Sequence, residues 1–153
     1  MLNQFLETLN KVGGQAVEVT TVAEAAAYIA ERVAGTVLLP PQPSLERVGL
    51  ATALEAAGVT LVMDAWREHA SAANAGVTGV NFALADTGSL VLDSTAESLR
   101  LATTLPERHF ALLDPCKILP DSLAAVPYLR GFHERGPRNF LAYITGPSRT
   151  ADI

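Results

Sequence analysis

Val37-Leu38-Leu39 is the most constraining stretch of this chain. It is apolar at consecutive positions, and an alanine-rich helical pattern lies on each side of it. A strand with one wet face alternates apolar and polar residues; a continuously apolar strand is buried on both faces. Burial on both faces requires a helical layer above and below, and hence a parallel sheet joined by helical crossovers. The same β-rich character recurs at Ala16–Val19, Val59–Met63, His109–Leu113 and Phe140–Thr145. The first three of these five runs, counting Thr36–Leu39, are separated by helical stretches. Thr21 and Glu24 have the spacing of a capping box just before Ala25–Val33. Ser44 heads a helix over Leu45–Ala57 that Gly58 closes. Leu2, Phe5, Leu6, Leu9 and Val12 fall at helical spacing and open the chain with an amphipathic helix.

The middle of the chain changes pattern. Val80-Asn81-Phe82-Ala83-Leu84 alternates, Asp86-Thr87-Gly88 interrupts, and Ser89-Leu90-Val91-Leu92 resumes. This predicts a β-hairpin, an antiparallel insertion into a mostly parallel sheet. Pro40-Pro41-Gln42-Pro43 forms a rigid loop after a strand, at the sheet edge where α/β proteins commonly bind ligands. A helix is expected over Ser94–Thr104.

Composition narrows the function classes. With 153 residues, 49% of them apolar, the chain is long enough for one domain with a real core. A net charge of −5 gives little counterion release, which argues against nucleic acid as a partner. No apolar run approaches the ~20 residues of a membrane helix, and a cytoplasmic location is expected. Cys116 is the sole cysteine, so the chain alone holds neither a disulfide nor an iron–sulfur cluster. His69, His109 and His133 lack metal-ligand spacing, and no metal site is expected. His109 reads as a strand-end residue and Cys116 as a packed thiol. GxGxxG, P-loop and GxSxG motifs are absent.

Two segments carry candidate chemistry. In Gly146-Pro147-Ser148-Arg149-Thr150 a strand ends in a tight turn followed by a helix start. Backbone N–H groups, Ser148 or Thr150 and a bidentate Arg149 would then converge on a carboxylate or phosphate. The same residues also suit an ordinary helix cap with a solvent-facing arginine. The turn Asp86-Thr87-Gly88-Ser89 offers a carboxylate and two hydroxyls, with Asp86 as the acid/base candidate. These are equally the usual residues of a plain hairpin turn. Arg100 is either a second anion ligand or a surface ion-pair partner.

Three stretches together resemble the LUD domain, the lactate-utilization protein C family. They are Ala85–Leu92, then Arg100 with Leu105-Pro106 and His109, then Ile144–Ile153. The order and spacing agree from about Gly76 onward, while the first half agrees only in its α/β pattern. Asp86 stands where the family usually has Glu, one methylene longer. Family members carry a longer leader and residues beyond the equivalent of Ile153, so the resemblance implies one LUD-like domain over 1–153, trimmed at both ends. It implies a three-layer αβα fold similar to ribose-5-phosphate isomerase and CoA-transferases. It also implies a part in oxidising L-lactate to pyruvate beside iron–sulfur partner proteins that carry the clusters. The site it implies comprises Asp86, Thr87, Gly88, Ser89, Arg100, Gly146, Ser148, Arg149 and Thr150. A stand-alone enzyme acting on a sugar phosphate or CoA ester, and a non-catalytic structural subunit, are the alternatives.

Overall fold

The computed structural model describes residues 1–136 and 138–148. The chain divides into two compact units, one made of residues 1–17, 80–95 and 113 onward, the other of 18–79 and 96–112.

The second of these carries the parallel sheet. Its strands are β1 (Thr36–Leu38), β2 (Thr60–Val62), β3 (Ala75–Gly79) and β6 (Arg108–Leu112), in the order β2-β1-β3-β6 with every neighbour parallel. Val37 and Leu38 are both fully buried and point to opposite faces. Val37, Ala75 and Val77 pack with Ile29 of α2 (Val22–Ala30) and with Leu50 and Leu54 of α4 (Leu50–Ala56). Leu38 packs on the other side with Ala70, Ala73 and Ala102; α5 (Trp66–His69) and α6 (Glu97–Thr104) lie on that face. The run that demanded two helical layers has them.

The capping box forms as its spacing predicts. Thr21 Oγ1 accepts from the Glu24 N–H at 3.2 Å, and the Glu24 carboxylate accepts from the N–H groups of Thr20 and Thr21 and from the Thr20 hydroxyl. Those bonds, led by the Thr20 N–H, hold the Glu24 carboxyl below its ordinary pKa. The helix starts directly after this cap, at Val22 rather than Ala25. Thr21→Ala is expected to cost about 1 kcal/mol, read as a lower thermal midpoint.

Three local expectations are corrected. Ala16–Val19 is exposed and belongs to no strand, because β propensity without a neighbouring strand to complete the ladder does not fix an edge. The helix expected over Leu45–Ala57 is two helices, α3 (Pro43–Arg47) and α4, parted at Gly49, which takes φ +71°; Gln42, not Ser44, precedes the first turn. The helix expected from Ser94 begins at Glu97. Upstream of it the Thr95 N–H and hydroxyl donate to the Asp93 carboxylate at 3.0 and 2.6 Å, a local alternative to the helical turn.

The other unit has its own sheet. The hairpin strands β4 (Phe82–Leu84) and β5 (Ser89–Asp93) are antiparallel, as expected. They are not inserted into the parallel sheet: with β7 (Ile118–Leu119) and β8 (Leu141–Ile144) they build a second one, ordered β7-β4-β5-β8. α1 (Leu2–Lys11) covers one face through Phe5, which packs with Ala83, Ala85 and Ile118. α7 (Ser122–His133) covers the other through Ala125 and Phe132, against Phe82, Leu84 and Val91. The Asp121 carboxylate caps α7 by accepting from the Ala124 N–H at 2.9 Å. No helix among the described residues is long and apolar enough to cross a membrane.

Candidate functional site

The hairpin turn and the end of β8 are neighbours because β5 and β8 pair antiparallel, with Leu90 opposite Ile144. That register brings Ser89, the first residue of β5, beside Thr145, the residue after β8. Ser89 Oγ lies 2.7 Å from Thr145 Oγ1 and 2.8 Å from Thr87 Oγ1. Ser89 is buried, and the two outer threonines are exposed. Three hydroxyls carry three protons, and the two contacts between them use two. One O–H is therefore left over, on the threonine that Ser89 donates to or on Ser89 itself if both threonines donate to it. An unpaired O–H costs more on buried Ser89, which favours the arrangement with the spare O–H on an exposed threonine.

The turn's backbone is largely committed. The Ala85 and Asp86 N–H groups donate to Leu119 and Pro120 carbonyls at 2.8 and 3.1 Å, and the Gly88 N–H donates to the Leu84 carbonyl at 3.0 Å. The Asp86 side chain is exposed, and its carboxylate makes no hydrogen bond or ion pair among the described residues. Any donor this turn offers an anion comes chiefly from its hydroxyls.

Both glycines of the pair have positive φ, +67° at Gly88 and +76° at Gly146. Each also abuts α1 or the residue after it. A Cβ at Gly88 would stand 2.6 Å from the Leu9 nitrogen and 2.8 Å from the Thr8 carbonyl carbon; one at Gly146 would overlap the Val12 carbonyl. The Thr8 hydroxyl adds a 2.7 Å bond to the Ala85 carbonyl. The close approach that glycine permits is thus made by the end of α1.

The structure therefore brings Thr87, Gly88, Ser89 and Gly146 together, with Asp86 and Ser148 exposed nearby in sequence. Arg100 lies on α6 in the other unit, where its carbonyl accepts from the Thr103 and Thr104 hydroxyls. Arg149 and Thr150 lie outside the described residues. Thr145 and the end of α1 were not singled out from sequence. Thr145 could have been, since the residue before a strand-ending Gly-Pro falls at the mouth of the same turn.

A second polar pair lies in the parallel-sheet unit. His109, on β6, contacts the fully buried Thr78 of β3 through Nε2 and Oγ1 at 2.8 Å. Burial pushes its pKa down from 6.5 to about 4, so the ring is neutral at pH 7. Among the described residues, no three His, Cys, Asp or Glu side chains gather in a way that would hold a metal ion.

A parallel four-strand sheet between helices, together with a second sheet built on the hairpin, makes this an α/β protein. The LUD domain model matches residues 2–153, and the chain belongs to the LUD domain family. It is similar to lactate utilization protein C of Geobacillus thermodenitrificans, with 29% identity over 150 residues, covering 88% of this chain and 62% of that protein. It is also similar to lactate utilization protein C of Anoxybacillus flavithermus, with 33% identity over 130 residues, covering 82% and 57%. The chain thus spans about three-fifths of the length of these curated relatives. A crystal structure of a DUF162 family protein from Deinococcus radiodurans shares the fold, with a TM-score of 0.69 and 21% identity over 95% of this chain and 86% of that one.

Proposed function

We propose that this chain is a component of a lactate-utilization system that binds a small carboxylate or phosphate anion at the paired turns Asp86–Ser89 and Gly146–Thr150. The observation that carries the site is the Thr87–Ser89–Thr145 hydroxyl chain, whose two contacts leave one of its three O–H protons over. The names of the relatives supply the system, and their carboxylate chemistry suits a hydroxyl and guanidinium donor set. In this reading Arg149 clamps the anion, Ser148 or Thr150 adds a hydroxyl, and Asp86 is the acid/base group if the bound molecule reacts. Electron transfer falls to iron–sulfur partner proteins, since a chain with one cysteine cannot ligate a cluster alone.

Isothermal calorimetry with L-lactate, pyruvate and a phosphosugar tests this. Binding of one class is expected, weakened at least tenfold by Arg149→Ala and several-fold by Ser89→Ala. No ligand-dependent heat, or unchanged affinity in Arg149→Ala, refutes the placement.

One observation favours a second reading, a non-catalytic structural subunit. The two turn glycines receive the end of α1, so the turns also serve to hold that helix. That reading expects no ligand heat, with co-purification of partner proteins surviving Arg149→Ala.

A further inference from the structure

We infer that the outer edge of β8 is a docking strand for an extended acidic segment of a partner protein, taken up as an additional strand. Among the described residues β8 ends its sheet, with β5 on one side and no strand on the other. The Ser94 N–H donates to the Phe140 carbonyl at 2.8 Å, which makes 94 and 140 a hydrogen-bonded pair. Antiparallel pairs alternate, so Ala142 and Ile144 also turn their backbone groups toward β5, and Leu141 and Tyr143 turn theirs outward. From Asn139 to Ser148 the chain has no charged residue, and β8 contains no proline or bulge. Charges, prolines and bulges are the devices by which edge strands avoid pairing, and this edge lacks them.

The side chains point to the same use. Phe82, Val91 and Tyr143 form one row across β4, β5 and β8, with Tyr143 at its β8 end. Tyr143 is 50% exposed. Exposed tyrosines and arginines are the side chains enriched in protein interfaces. Arg130, Arg135 and Arg138 supply the charge: all three are exposed, and they lie within nine residues of a chain whose net charge is −5. The Asn139 amide donates to the Phe132 and Gly136 carbonyls, which ties the arginine-bearing segment to the end of α7 just before β8 begins. The arginine-bearing segment leads directly into β8, so charge complementarity favours an acidic partner segment, with apolar residues on alternate positions for Tyr143. A second copy of this chain fits less well, because β8-to-β8 pairing would bring two arginine clusters onto one sheet.

The test is fluorescence anisotropy on the full chain with two labelled octapeptides, one alternating Glu and Val, the other alternating Lys and Val. The Glu–Val peptide is expected to bind at least tenfold more tightly, and Arg135→Glu with Arg138→Glu to remove that preference. Tyr143→Pro is expected to abolish binding by deleting an outward N–H, whereas Tyr143→Ala only weakens it. A Glu–Val peptide N-methylated at alternate residues tests the same ladder without altering the protein, and it is expected not to bind. No binding of the Glu–Val peptide, equal binding of the two peptides, or full binding by the N-methylated peptide overturns the inference. A dimer in sedimentation that Tyr143→Pro dissociates also overturns it, by assigning the edge to a second copy.

Discussion

Gly76→Ala is expected to destabilise the protein by about 3 kcal/mol, the upper end of what an added methyl costs in a filled site. Gly76 sits in the middle of the parallel sheet, with Leu38 of β1 on one side and His109 of β6 on the other. The backbone of α6 crosses directly over it. A Cβ there would overlap the Ala102 carbonyl and stand 2.7 Å from its carbon. Both groups are main chain, so no rotamer change relieves the overlap. Either α6 lifts from the sheet or β3 bends away from two paired neighbours. Ala102 is fully buried with Leu38, Ala70 and Ala73, so lifting α6 opens that cluster to voids. Gly131→Ala is the matching control. Gly131 lies in α7 with nothing within 4 Å of its Cβ position, and there the methyl is expected to stabilise by about 0.5–1 kcal/mol through helix propensity. Urea midpoints moving in opposite directions bear out the packing argument; a neutral Gly76→Ala refutes it.

The contrast between those two glycines shows what the sequence could and could not disclose. Legible features were local. Val37-Leu38-Leu39 announced burial on both faces, Thr21 and Glu24 announced a cap, and Asp86-Thr87-Gly88 announced a turn between two alternating runs. Each depends on neighbours within a few residues. The features that escaped depend on segments far apart in the chain. Gly88 and Gly146 read as freedom for a turn or a ligand, yet each abuts the end of α1 some 80 or more positions away. Ala16–Val19 has the composition of a strand, but a strand is defined by its partner. The alternation in Val80–Leu84 and Ser89–Leu92 specifies a strand pair but not the sheet that the pair joins. Its own sheet is completed by β7, which is two residues long, and by β8. The candidate site divides the same way. Thr87 and Ser89 were legible as turn hydroxyls, while the link to Thr145 depends on the β5–β8 register, which no local pattern specifies.

Lowering the pH from 7 to 4.5 is expected to cost the wild-type protein on the order of 2 kcal/mol through His109 alone. The ring is half-buried on β6 and bonded to the fully buried Thr78, and burial pushes its pKa from 6.5 down to about 4. Protonation in the folded state would place a cation where burial has stripped part of its hydration. Above pH 6.5 the imidazole is neutral in both folded and unfolded chains, and the folded state carries no penalty. Between pH 6.5 and 4 the unfolded chain binds a proton that the folded one refuses, so stability falls as pH falls. Below pH 4 both states are protonated, and this contribution levels off. Carboxylates titrate in the same range, so the decisive comparison is with His109→Gln, whose amide still reaches the Thr78 hydroxyl but does not titrate. Urea unfolding of both proteins at pH 7 and pH 4.5 isolates the term. The wild type is expected to lose on the order of 2 kcal/mol more than the variant over that interval. Equal losses in the two proteins would mean that the buried ring is not the group resisting protonation.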